Sequence, residues 1–318
     1  MAKRGFSIGD ALGDGFRLAG QRPVSVFAWG LLLLLIPTLL PLLIVGPALV
    51  DLPWAELTSD SGPSDSAAFT DYIARSNVAS LLSNALQLLV YGMLGAAVYR
   101  LVLDPARGRG RPFGLGLGMD ELRVVVGYIA LFVGVMVVMV ALILIAVGVS
   151  LAFWPTLSDA GRAWAVFALI FVSLIVLLVV YARVCLIPPA FVAMGDFEFG
   201  AGWRLGAGQT GRLILMTLVI WVLTLLIGLM AYAVLAAVGF GLWMALGLGT
   251  ALPQSPAEMA DFVSSNPRLA WLGVLILPLS WVYGLLGVVS MAPYASAVRQ
   301  LTPSAETAEP AVPDTNEL

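Results

Sequence analysis

A chain of 318 residues that is 60% hydrophobic and 11% charged is not an ordinary soluble domain, in which about a quarter of residues carry charge. Its mean hydropathy of +0.99 marks a polytopic membrane protein, to be read as spans and connections. The single Cys185 and the lack of any histidine exclude an intrachain disulfide, a paired-cysteine redox motif, a Ser-His-Asp triad and a histidine-built zinc site.

The first element is Ser7–Arg22. At helical periodicity Asp10, Asp14, Arg17 and Gln21 fall on one side, and Ile8, Leu12, Gly15, Phe16 and Ala19 on the other. Ser7 and Asp10 make an S-x-x-D start with Ser7 as N-cap. The expectation is a short amphipathic helix on the cytoplasmic membrane surface, feeding the first span. Ile8, Leu12, Phe16 and Ala19 should then face the apolar layer or the bundle, and Asp10, Asp14 and Gln21 should face water. Arg17 should pair with Asp14 or reach lipid phosphate. The device recurs. Leu12–Leu18, LGDGFRL, matches Phe199–Leu205, FGAGWRL, so Arg17 and Arg204 are expected in quasi-equivalent places. A weaker echo, Gly116–Met119 followed by Arg123, precedes the third apolar run. Interfacial helices are thus expected over about 7–22, 113–121 and 196–208.

Six apolar runs long enough to span a bilayer cover about 24–50, 78–103, 124–149, 163–185, 213–234 and 270–294. The fifth has a Gly-rich continuation to Leu246, so its continuity, like that of the long third, is left open. The first run is too long for a signal-peptide core and reads as an uncleaved span. Thirteen of the sixteen cations flank one side of these spans, which places both termini in the cytoplasm of a bacterial inner membrane. Asp51–Asn77 is then an extracytoplasmic acidic loop with room for a short helix at Ser66–Ala74. Leu186–Met194 stays apolar, and its two prolines predict a broken helix dipping into the interface. The fold class is therefore all-α and polytopic. Residues 1–301 form three tandem spanning hairpins with amphipathic entries, and 302–318 a disordered acidic tail.

Each even span ends in a tyrosine and an arginine: Tyr99 with Arg100, Tyr181 with Arg183, and Tyr294 with Arg299. These read as head-group anchors. On span two, Ser80, Ser83, Asn84, Gln87 and Tyr91 share a stripe; Ser280, Tyr283, Gly284, Gly287 and Ser290 do so on span six. The stripe reads as helix packing through small residues and amides, and in the functional reading as a polar path or ligand pocket. Gln87 should then face other helices.

No catalytic set survives. Asp10 with Asp14 and Asp196 with Glu198 fit helix-start charges, and the Gly-rich stretches lack the strand and lysine of a phosphate loop. No cofactor or metal is expected. The remaining signal is cationic: Arg17, Arg22, Arg204 and Arg212 at the span entrances, with Arg107, Arg109 and Arg111 in one turn, are candidates for lipid head groups.

Phe6–Leu18 (FSIGDALGDGFRL), Arg183–Ala190 (RVCLIPPA) and Gly200–Leu205 (GAGWRL) together resemble an uncharacterised bacterial six-helix membrane family. It includes YciC-like proteins and the membrane domain attached to some glycerophosphoryl diester phosphodiesterases. The resemblance covers roughly residues 6–300 and implies a membrane domain; the soluble phosphodiesterase activity does not carry over. The expected function is non-enzymatic: a membrane-organising, lipid-interacting or partner-binding module. Its partners would be phospholipids, a membrane protein or a second copy, and not nucleic acid. The alternatives are a transporter or flippase-like protein for an uncharged or lipidic substrate, and an accessory subunit of a lipid-phosphodiester enzyme.

Overall fold

The computed structural model describes residues 5–50, 67–105, 112–116, 118–247, 258, 262 and 265–302. Nine α-helices organise the described residues, and no strand occurs among them. They are α1 (Ile8–Gln21), α2 (Pro23–Val50), α3 (Ala67–Leu103), α4 (Met119–Phe153), α5 (Asp159–Val184), α6 (Ile187–Met194), α7 (Phe199–Leu205), α8 (Thr210–Ala245) and α9 (Ile276–Leu301). Six helical stretches are long and apolar enough to cross a membrane, as a multi-pass membrane protein requires.

Local chemistry sets the boundaries. The Ser7 hydroxyl accepts from the Asp10 amide at 3.3 Å and caps α1. The Ser7 amide donates to Gln300 at 2.7 Å, tying that cap to the end of α9. Pro23 opens α2, where a missing amide hydrogen costs nothing. The second span is longer than 78–103. No glycine or proline interrupts 67–91, and an Asp71–Arg75 pair at 2.8 Å supports the first turns. The helix expected at Ser66–Ala74 is therefore the start of α3 and not a separate element.

The segment 113–121 likewise forms no helix of its own. Pro112–Gly114 make one 3-10 turn with Phe113 at φ 55°, and Met119 already begins α4. Trp29 donates to the Phe113 carbonyl at 3.0 Å and Arg100 to that of Gly114 at 3.1 Å, which holds the turn. Pro188 and Pro189 interrupt the helical run as expected: α5 stops at Val184, and the prolines occupy the first turn of α6. Ile187–Val192 are buried, so this segment packs inside the bundle. α8 runs unbroken through Gly239 and Gly241. A 3-10 stretch, Pro267–Leu275, leads into α9. Residues 51–66, Arg107, Arg109, Arg111 and the tail 303–318, for which a loop, a head-group site and disorder are expected, lie outside the described residues.

α2 and α9 cross most closely. A β-carbon on Gly30 would collide with the backbone of Ser280 and Gly284, and one on Gly284 with the Val26 carbonyl. Small residues let two backbones meet, which is how helices associate where water provides no drive. Trp29, 1% exposed, and Leu94 pack beside this crossing. α4 and α5 are peripheral, and their most apolar windows contain no buried residue.

α1 is rotated from the expected register. Its buried face is Ala11, Asp14, Gly15, Leu18 and Ala19, with Gly15 against Val289 and Ala292 of α9. Asp14, expected in water, is only 7% exposed, whereas Phe16 is 43% exposed. A carboxylate can be buried only where it is paired and hydrogen-bonded, and α9 supplies the partners.

Candidate functional site

Two constellations stand out, one charged and one neutral. The charged one gathers the starts of the first and third spans and the ends of the second and sixth at one end of the bundle. One Asp14 oxygen accepts from Ser296 at 2.6 Å and Arg299 at 2.5 Å; the other accepts from Arg17 at 2.6 Å. Arg299 also donates to the Val102 carbonyl at 2.7 Å, joining α1, α3 and α9. Beside it, Arg100 is 2% exposed and donates to Glu121 at 2.5 Å and Asp120 at 3.3 Å. Arg100 is therefore an internal tie from α3 to the first turn of α4, not an anchor in the head groups. Asp120 and Glu121 also suit the positive end of α4.

The other candidate arginines are dispersed. Arg204 pairs with Glu198 at the surface, on the helix whose Trp203 stacks with Arg183 at 5.4 Å. Arg17 instead shares a buried acid with α9, so the two motif arginines do not occupy equivalent environments. The motif glycines are more alike. Gly15 meets α9, and Gly202 lies so close to the Ile187 backbone that a β-carbon would clash. The Arg212 guanidinium packs on Gly5. Arg22 lines a cleft together with Arg17 and Arg299.

The neutral constellation lies within the bundle. Tyr99, Tyr181 and Tyr294, which end the three even spans, line one cavity of about 290 Å³. Tyr99 and Tyr294 are buried. These rings are therefore a shared lining and not three lipid-facing anchors. Tyr91, Tyr128 and Ser290 complete its polar atoms. The Tyr99 and Tyr128 hydroxyls lie 2.9 Å apart, and the Tyr294 and Thr217 hydroxyls 3.3 Å apart. An open groove of about 550 Å³ shares Tyr181, Ser290 and Tyr294 and continues past Trp221 and Thr224 to Tyr232, with Trp221, Leu225 and Tyr232 exposed. Among the described residues, no charged side chain lines either space.

The expected polar stripe of span two is split. Ser83 and Asn84, with Ser80 and Tyr72 of the same helix, line a separate cleft of about 540 Å³ that Thr38 of α2 faces from across. Tyr91 turns to the tyrosine cavity, and Gln87 is half-buried and lines none of these spaces. Ser280 and Tyr283 form no common path. The Ser280 hydroxyl donates to the Ile276 carbonyl at 2.7 Å, while Tyr283 and Tyr232 hydroxyls lie 2.9 Å apart. Sequence reasoning missed Tyr128, whose only sign was an isolated tyrosine near the start of span three. Among the described residues no three histidines, cysteines or carboxylates come together as metal ligands. Comparison of the chain with protein-family models, curated proteins and solved structures finds no match.

Proposed function

We propose that the protein is a non-catalytic module of a bacterial inner membrane, with cytoplasmic termini, that holds an uncharged amphiphile of lipid type among its tyrosines. One observation carries this reading: the equivalent tyrosines of three even spans line a single cavity without charge. Its volume and that of its neighbour suit a ligand, since such sites are mostly apolar, about 300–1,000 Å³, with a few fixed polar groups. Neutral hydroxyls recognise an ester carbonyl or hydroxyl, whereas an ion here would lack a counter-charge. The resemblance to membrane domains of lipid-phosphodiester enzymes is in keeping with a lipidic ligand. The test is native mass spectrometry of the full chain released from phosphatidylcholine nanodiscs. Ser290→Phe, which fills the wall common to the cavity and the groove, should abolish a retained neutral lipid while the fold persists. Equal retention by wild type and variant would remove the reading.

A transport reading draws support from the cleft of Ser80, Ser83 and Asn84. Asn84 of the cleft and Leu88 of the tyrosine cavity are four residues apart on one helix, about 6 Å along its axis, so the two spaces follow one another along α3. The two spaces would serve as successive ligand stations along α3. Protein-dependent scrambling of a fluorescent neutral lipid in vesicles, lost in Asn84→Leu, would favour transport over static binding.

A further inference from the structure

The charged end of the bundle contains a cleft that the tyrosine cavity does not explain. It is about 100 Å³, the liquid volume of about three waters. Arg17, Gln21 and Arg22 form one wall, Leu101, Val102 and Pro105 at the end of α3 a second, and Arg299 of α9 a third. The one carboxylate among its lining residues is Asp14, so three guanidinium groups face one negative charge. Asp14 is already shared by Arg17 and Arg299. Arg22 is half-buried at the break between α1 and α2 and makes no ion pair among the described residues. Its guanidinium donors are therefore open to an anion entering the cleft. Asp10 lies outside this lining, in the adjoining open groove with Gly13 and Gln300.

We propose that this cleft binds a phosphate ester, with Arg22 as the principal ligand and Arg17 and Arg299 supplying further donors. Guanidinium forks fit phosphate oxygens two at a time, and the cleft has the size for one such group. Leu18, Leu101 and Val102 offer an apolar wall to whatever the ester carries. The cleft sits where α1 gives way to the first span, the depth at which an anionic phospholipid presents its head group. The shared chemistry is the phosphate ester, whether of a lipid or of a soluble molecule. This site is separate from the tyrosine cavity and does not require it.

The experiment uses the full chain in phosphatidylcholine nanodiscs, with and without phosphatidylglycerol. Native mass spectrometry counts retained phosphatidylglycerol, and thermal unfolding in phosphatidylcholine alone, with millimolar glycerol 3-phosphate, reads a soluble ester. Arg22→Gln should reduce retained phosphatidylglycerol about fivefold, the effect of roughly one arginine at an anionic surface. Arg22→Lys should fall between, because it keeps the charge and loses the fork. Gln21→Glu changes an exposed rim residue without removing a packed group, so it should fold and should also reduce retention. Retention without any effect of glycerol 3-phosphate assigns the site to a lipid head group. Stabilisation by glycerol 3-phosphate in wild type and not in Arg22→Gln assigns it to a soluble ester. Equal phosphatidylglycerol retention in wild type and all three variants, with no stabilisation by glycerol 3-phosphate, overturns the proposal. Neutral-lipid retention in the tyrosine cavity should be the same in all of them, so the two claims fail separately.

Discussion

Asp14 accepts three hydrogen bonds while almost fully buried, and two of its partners, Ser296 and Arg299, lie on the last helix. Removing it leaves Arg299 without its carboxylate and opens the contact between α1 and α9. Asp14→Ala should therefore lower stability by about 2–3 kcal/mol, within the range for charge-assisted hydrogen bonds. Arg17 is 62% exposed, so Arg17→Ala should cost under about 1 kcal/mol. Unfolding in a graded series of denaturing detergent compares the two, and equal losses would contradict this account. Glu121→Gln should cost an amount comparable to Asp14→Ala, about 2–3 kcal/mol, because Arg100 is buried but keeps Asp120 as a counter-charge. Periodicity placed Asp14 on the polar side of its helix and could not show that this side is packed. The information lies in Arg299, 285 residues away, which no local pattern reaches. The pairing of Arg17 with Asp14, by contrast, was legible, because it needs only three residues of helix.

At the scale of elements, the spans were legible and their ends were not. Twenty apolar residues announce a spanning helix, but α3 extends eleven residues before its expected start at Val78, because its polar N-terminal part has no breaker. The α6 segment shows the converse. Its two prolines punctuate the chain, and whether proline stops a helix or starts one depends on which side the helix lies. Gly284 was read as a small residue of a packing stripe, and that is its place at the crossing with α2. Gly284→Leu should push α9 from α2 and prevent a stable fold. Leucine in place of Gly134 on α4, where a β-carbon meets nothing within 4 Å, should be tolerated. Comparable yields of monodisperse protein from both variants would refute the close crossing.

For the molecule as a whole, the arginines recur at one end, where contacts join Arg17, Arg100 and Arg299 to α1, α3, α4 and α9. Single cysteines replacing Ser64 and Ser304, in a Cys185→Ala background, should react with impermeant reagents from opposite sides of the membrane. Reaction of both from one side would overturn the proposed orientation. Sequence marks the tyrosines one span at a time, as head-group anchors, which their shared lining contradicts. Their meeting was not legible, since it depends on how the spans assemble, and apolar spans offer few cues to their neighbours. The central claim is that this meeting point holds a neutral lipid. Photo-crosslinking with an uncharged, diazirine-bearing diacylglycerol, followed by peptide mapping, tests it most directly. The account predicts adducts around Tyr181–Pro188 and Leu286–Tyr294, lost in Ser290→Phe. Adducts confined to the outer aromatic column of α5, Trp164, Phe167 and Phe171, would contradict it.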